Sequence, residues 1–171
     1  MSTETRVAES APVGVRILAF MLIAGGIVGI GLSIWMAILG MHRPVFAVAA
    51  IAFAAAFGFT AWQGVKLWNG SAGGYRWAKI LFAAQIPTLS LGGLTYGFFT
   101  LFGFNVQAGA GVEALDFNLG SALNLMYTPG EQPMYVGINL VAAAALAYLL
   151  FRTRSGSAPL APTVRNQTGP R

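Results

Sequence analysis

Residues 80–104 read ILFAAQIPTLSLGGLTYGFFTLFGF, 25 residues without a charged side chain, with Pro87 and the Gly92-Gly93 pair inside the run. A membrane-spanning helix needs about 20 mainly apolar residues, because the hydrocarbon layer is about 30 Å thick and each helical residue rises about 1.5 Å. By that measure the stretch is a transmembrane helix. Pro87 has no N–H for the carbonyl of Ala83, so the reading includes a kink there. Gln85, Thr88 and Ser90 stand near enough to replace the lost hydrogen bond.

Working outward, three more stretches pass the same test. Residues 17–39 form an uncharged run of 23, residues 45–62 continue apolar until Lys66, and residues 134–151 form a run of 18 with Asn139 near its start. Unpaired peptide groups in lipid cost several kcal/mol each, and a helix satisfies its own. A transmembrane barrel would show alternating segments of about ten residues, which the unbroken apolar run 47–59 excludes. The first run is too long for a signal-peptide core, and Glu4 and Glu9 cancel much of the local positive charge, so it reads as an uncleaved helix. The expected fold is an all-α integral membrane protein with four transmembrane helices, at about 17–39, 45–68, 77–104 and 134–152. Residues 1–16 form a cytoplasmic segment and 17–152 the four-helix transmembrane domain. Residues 153–171 are rich in Ser, Pro, Gly and Thr, and are expected to be a disordered cytoplasmic tail.

Composition points the same way. Of 171 residues, 56% are hydrophobic and only 9% charged, with mean hydropathy +0.67. A water-soluble domain usually carries about a quarter charged residues, so a soluble enzyme is excluded. The absence of Cys removes disulfides, thiolate nucleophiles, Fe–S clusters and Cys-ligated zinc. The one imidazole, His42, cannot supply two axial haem ligands and has no metal-site spacing around it. Glu113, Asp116 and Glu131 follow no calcium-loop pattern and read as solvated loop charges. No Ser/His/Asp arrangement is defensible. The expectation is therefore no catalytic residues, no cofactor, no metal and no enzyme activity.

The net charge of +5 gains meaning once the bases are placed. With the N-terminus inside, Arg6, Arg16, Lys66, Arg76, Lys79, Arg152, Arg154, Arg165 and Arg171 are cytoplasmic, nine of the ten bases. Only Arg43 lies outside, in the turn His42-Arg43-Pro44. Basic residues collect beside the cytoplasmic face, so both termini are expected there. Trp62, Trp68, Tyr75, Trp77 and Tyr148 mark the inner interface, and Trp35 and Tyr135 the outer one. The layout resembles that of small bacterial inner-membrane proteins and implies a multi-pass protein of that membrane. Nucleic acid is not expected as a partner, because the bases sit at the bilayer edge.

The outer loop, 105–133, is too long for a plain connection. Leu115, Phe117 and Leu119 alternate with polar residues, and Leu123, Leu125 and Tyr127 do likewise. Period two means strand. With Gly120-Ser121 as a two-residue turn, the expectation is a small extracytoplasmic β-hairpin between helices 3 and 4, pairing 115–119 with 123–127.

Three groups of side chains are candidates for function. Gly25, Gly29, Ser33 and Ala37 make a stripe of small residues in the first helix. Ala50, Ala54 and Gly58 repeat the spacing in the second, and Gly93 and Gly97 in the expected third, so all are candidate packing seams. Lys66, Trp68, Arg76, Trp77 and Lys79, on a Gly-rich inner turn, are candidate contacts for anionic lipid headgroups or plain anchors. Gln85, Pro87, Thr88, Ser90 and Asn139 are a candidate polar pathway, or the repair of a kinked helix. No span carries an ionisable group at depth, which argues against a proton- or ion-coupled transporter. The first functional expectation is a non-enzymatic accessory or structural subunit contacting membrane lipids, another membrane protein or further copies of itself. The alternative is a small oligomeric transporter or pore for an uncharged or weakly polar solute.

Overall fold

A computed structural model describes residues 11–40, 44–109, 115–127 and 134–154. The described elements are α1 (Val13–Leu39), α2 (Pro44–Trp68), α3 (Ala72–Gln85), β1 (Pro87–Leu91), β2 (Leu94–Phe99), β3 (Phe102–Gly109), β4 (Leu115–Leu119), β5 (Ala122–Tyr127), β6 (Tyr135–Asn139) and α4 (Leu140–Arg154). The N-terminal segment, His42, Arg43, Glu113, Glu131 and the tail beyond Arg154 lie outside the described residues.

Helices α1 and α2 fall where the first two spans were expected, and both are long and apolar enough to cross a membrane. At about 1.5 Å per residue, the 27 residues of α1 extend roughly 40 Å. Only 17% of the apolar window of α2 is buried, whereas the core helix of a soluble protein would be mostly covered. The two helices pack antiparallel through glycine. Gly26 lies against the Phe57 carbonyl and Ala61, Gly64 against Ala19 and Ile23, and Gly29 under the Phe57 ring. In each case a Cβ would come within 3 Å of its neighbour.

The third and fourth spans are corrected. The expected helix over 77–104 is the end of α3, then β1, β2 and the start of β3. Helix α3 begins at Ser71, whose hydroxyl accepts from the Gly74 N–H at 3.0 Å, and ends where Pro87 removes the donor needed to continue. Beyond Pro87, the Thr88-Leu89-Ser90-Leu91 alternation leads into Gly92 and Gly93, both at positive φ (57° and 87°), and Leu91 pairs with Leu94. Two consecutive positive-φ residues make the primed turn that closes a two-residue hairpin, a conformation open to glycine. Pro87 thus stops a helix rather than kinking one, and Gly93 and Gly97 lie in a sheet rather than a helical seam. The expected fourth helix likewise divides into β6 and α4, with Asn139 capping α4 by accepting from the N–H groups of Val141 (3.1 Å) and Ala142 (3.3 Å). Helices α3 and α4, 14 and 15 residues long, extend only about 21–23 Å. The protein is therefore not an all-α four-helix membrane bundle.

The outer β-hairpin is corrected as well. Strands β4 and β5 occupy the expected residues, but they do not pair with each other. All six strands form one antiparallel sheet in the order β4-β3-β6-β1-β2-β5, with β4 and β5 at opposite edges. The β2–β5 pairing ends at Phe99↔Ala122 and the β3–β4 pairing begins at Phe102↔Leu119. Two residues on each side, Thr100-Leu101 and Gly120-Ser121, separate these pairs, so a single register runs through both. Strands β2 to β5 are one long hairpin bent at a corner, with β1 and β6 filling the space between its halves. The bend curls the sheet.

The four helices meet at one end of the molecule around Val15, Leu18, Leu22, Leu67, Phe82 and Leu149. The sheet lies beside the other half of α1 and α2, joined to the core by Phe98, whose ring centroid is 6.1 Å from that of Phe57. Because Phe57 fills the space a side chain at Gly29 would need, Gly29→Leu is expected to cost about 1–3 kcal/mol by overpacking. Thermal unfolding in detergent checks this, and an unchanged midpoint would count against the α1–α2 seam.

Candidate functional site: the polar interior of the curled sheet

The two faces of the sheet differ in chemistry. Following the pairing across strands, one face carries the rows Asp116-Asn105-Asn139, Gln107-Gly137-Thr88-Gly97 and Tyr135-Ser90-Thr95. The other carries Leu119-Phe102, Phe117-Phe104, Leu115-Val106-Ile138 and Val136-Leu89-Tyr96. Thr88, Ser90, Asn105 and Asn139 of the polar face are buried. Phe102, Val106, Leu115, Phe117, Leu119, Val136 and Ile138 of the apolar face are exposed. A sheet in a water-soluble protein turns its apolar face to the core and its polar face to solvent. In the β4-β3-β6 part of this sheet the arrangement is inverted, whereas on β2 the same apolar face turns to the helices, Phe98 packing against Phe57 and the Tyr96 hydroxyl donating to the Ala84 carbonyl at 2.6 Å.

Small residues let polar side chains crowd the interior. A Cβ at Gly137 would meet Thr88 Oγ1 at 2.6 Å and Gln107 Cγ at 2.8 Å, and one at Gly103 would meet the Phe99 ring at 3.3 Å. Phe99 belongs to β2 and Gly103 to β3, so the bent halves face each other, with this aromatic ring closing the space near the corner. Asn105 Nδ2 donates to Asp116 Oδ2 at 3.4 Å, Asn118 Nδ2 donates to the same oxygen, and the Ser90 and Thr95 hydroxyls share a hydrogen bond of 3.3 Å.

Several interior groups have no protein partner. Thr88 Oγ1, Asn105 Oδ1 and Asn139 Nδ2 are buried without a hydrogen bond, as is Gln85 Nε2 at the corner beside them. The orientation of the Asn139 amide follows from its Oδ1, which the two cap N–H groups engage, so its NH2 is a true donor without an acceptor. Leaving a buried polar group unpaired costs about 1–3 kcal/mol. The interior therefore holds two amide donors, an amide acceptor and a hydroxyl without protein partners.

The corner anchors the interior to the helices. Gln85 Oε1 accepts from the Thr100 N–H (3.2 Å) and the Thr100 hydroxyl (3.1 Å). Ser121 Oγ donates to the Gly25 carbonyl in the middle of α1 (2.6 Å) and accepts from the Leu101 N–H (3.3 Å). Leu101 itself holds φ +68°, rare for a residue with a side chain, and its carbonyl accepts from the Gly120 N–H at 2.8 Å. Gly25 admits the corner, since a Cβ there would meet Thr100 Cβ at 2.7 Å.

Of the polar candidates read from the sequence, Thr88, Ser90 and Asn139 come together on the inner face, and Gln85 stands at the corner beside them. Pro87 is exposed at the start of β1. In the small-residue stripe, Gly25 meets the sheet corner, Gly29 meets Phe57, and the Ser33 hydroxyl donates back to the Gly29 carbonyl. Ala37 is half-buried near the far end of α1. The basic and indole candidates gather at the helical end, where Lys66 Nζ is 5.4 Å from the Trp62 ring centre, the Trp77 ring meets Phe59 edge-on, and Lys79 Nζ donates to Thr153 Oγ1 at 3.1 Å. Arg76 is exposed, and Trp68 lies under the Arg16 guanidinium at 5.7 Å.

Asn105 and Gln107 read as loop residues, Asp116 and Asn118 as polar positions of a separate hairpin and Ser121 as half of its turn, while Thr100 has no role in that reading. The usable signal was the alternation on both sides of Gly92-Gly93. Among the described residues no group of three or more His, Cys, Asp or Glu lies close enough to hold a metal ion. No family model matches the chain, and neither the curated proteins nor the solved structures contain a match.

Ser121→Ala removes both bonds at the corner and leaves the Leu101 N–H without its acceptor. The expected loss is about 1–3 kcal/mol, read as a lower unfolding midpoint in detergent. Ser121→Thr, which keeps the hydroxyl, should lose less.

Proposed function

We propose that this is a non-enzymatic membrane protein that holds a small, uncharged polar solute inside its curled sheet. The observation that carries the reading is the set of buried, unpartnered groups Thr88 Oγ1, Asn105 Oδ1 and Asn139 Nδ2 on one face. A guest bearing both donors and acceptors would satisfy them, and neither a purely apolar molecule nor a free anion would. The corner and the packed core behind it close one end of the interior, which favours a binding site over an open pore.

The membrane part rests on α1 and α2. Of the six described bases, Arg16, Lys66, Arg76, Arg152 and Arg154 stand towards the ends of helices that meet at one side of the molecule, and Lys79 in the middle of α3 reaches Thr153 at the end of α4. This supports an inner membrane with the basic end cytoplasmic and membrane lipids as neighbours. A second reading, an accessory subunit docked on another membrane protein or on a second copy, is favoured by β4, whose Phe117 and Leu119 are 66% and 73% exposed beside an unpaired strand edge.

Saturation-transfer NMR on the detergent-solubilised protein, with glycerol and urea as probes, separates the readings. Transfer to either probe is expected, with a several-fold loss in the double variant Thr88→Val, Asn105→Leu. Equal transfer in both proteins, or none in the wild type, would overturn the solute reading. Stoichiometric copurification of another membrane protein would then support the subunit.

A further inference from the structure

We infer that the curled sheet lies at the depth of the lipid hydrocarbon, with the exposed apolar face of β3, β4 and β6 against acyl chains and its polar face sealed inside. This rests on the membrane reading of α1 and α2, and adds where the strands stand relative to the bilayer.

The sheet touches the middle of α1, not its end. Ser121 Oγ bonds the Gly25 carbonyl, and β5 from Ala122 to Asn124 lines a cleft of about 390 Å³ together with Gly29, Leu32, Ser33 and Met36 of α1 and Val45, Phe53 and Phe57 of α2. Gly25 is residue 13 of the 27 in α1 and Met36 is residue 24. If α1 crosses the bilayer, this part of it occupies the middle and far half of the hydrocarbon, and whatever packs against it shares that depth.

The outward apolar face is the second, independent observation. Phe102, Val106, Leu115, Phe117, Leu119, Val136 and Ile138 are exposed, as are Ile27, Ile34 and Ile38 of α1 and Val48 and Ile51 of α2. Apolar outside and polar inside is the pattern of a sheet surrounded by lipid. In water the same face would be an apolar patch of a kind soluble monomers seldom show.

Length agrees. Alone, α3 and α4 are too short to span. With β1 added to α3, and β6 to α4, each reaches roughly 37–39 Å, at about 1.5 Å per helical and 3.3 Å per strand residue, close to the length of α1. The third and fourth crossings are then half helix and half strand, joined by the hydrogen bond from the Asn139 N–H to the Ile86 carbonyl at 2.8 Å. Lipid cannot satisfy an open strand edge, and the two edges of this sheet are short: five residues in β4, and six in β5, which lies beside the cleft it forms with α1 and α2.

The absence of Cys makes a site-directed test clean. Single variants Phe117→Cys and Val136→Cys on the sheet, Ile34→Cys on α1 and Asn69→Cys in the inner turn are spin-labelled in the full chain, in phosphatidylcholine–phosphatidylglycerol liposomes. Collision with oxygen is compared with collision with a water-soluble nickel chelate. At Phe117, Val136 and Ile34 oxygen should exceed the chelate several-fold, and at Asn69 the order should reverse. Chelate access at both sheet positions with oxygen access at Ile34 would overturn this inference and leave the membrane reading standing. Chelate access at Ile34 as well would overturn both. Exclusion of both reagents at the sheet positions would assign that face to a protein partner, also against the inference. Two sheet positions keep the test valid if one variant does not fold.

Discussion

A strand pair that must bend against the helices is the constraint on which this architecture depends. At Thr100-Leu101 and Gly120-Ser121 the ladder is interrupted, and the freed N–H groups of Thr100 and Leu101 would be costly if left unpaired. Two side chains from elsewhere take them: Gln85 at the end of α3 and Ser121 on the opposite strand. Ser121 also passes its own hydrogen to the Gly25 carbonyl, so the bend, the end of α3 and the middle of α1 are fixed together. Gly25 permits the approach because it has no side chain to obstruct Thr100.

The bend then decides the character of the sheet. A flat ribbon would leave both faces open, whereas the curl turns Thr88, Ser90, Asn105 and Asn139 inward and the rows containing Phe117, Val106 and Ile138 outward. The polar interior is only partly satisfied by its own bonds. Natural proteins seldom leave buried groups in that state without a guest or ordered water. The helical end has the opposite character. It is packed with aliphatic and aromatic side chains and ringed by bases and indoles, the expected chemistry of a membrane–water boundary.

Much of this was legible in the sequence, and the parts that were not share a physical cause. Helices α1 and α2 follow from local composition alone, because a long apolar run has to satisfy its backbone internally. The placement of the bases depends only on where the charged residues fall between such runs. The strand character of 115–119 and 122–127 is likewise local, written in period-two alternation. Thr88, Ser90, Asn139 and Gln85 stood out because polar groups within apolar text need a reason.

Tertiary structure alone decided what these pieces pair with. In residues 80–104, hydropathy is equally consistent with one kinked helix and with a helix end followed by strands, since Leu and Phe serve either. The choice turns on hydrogen-bond partners supplied by β5 and β6, 23 to 51 residues away. Alternation tells which residues share a face but not which strand lies alongside, and so β4 and β5, adjacent in sequence, end at opposite edges of the sheet. Asp116 and Asn105 became interior residues for the same reason. Composition and periodicity are properties of a segment, whereas pairing and burial are properties of the partners that a folded chain brings to it.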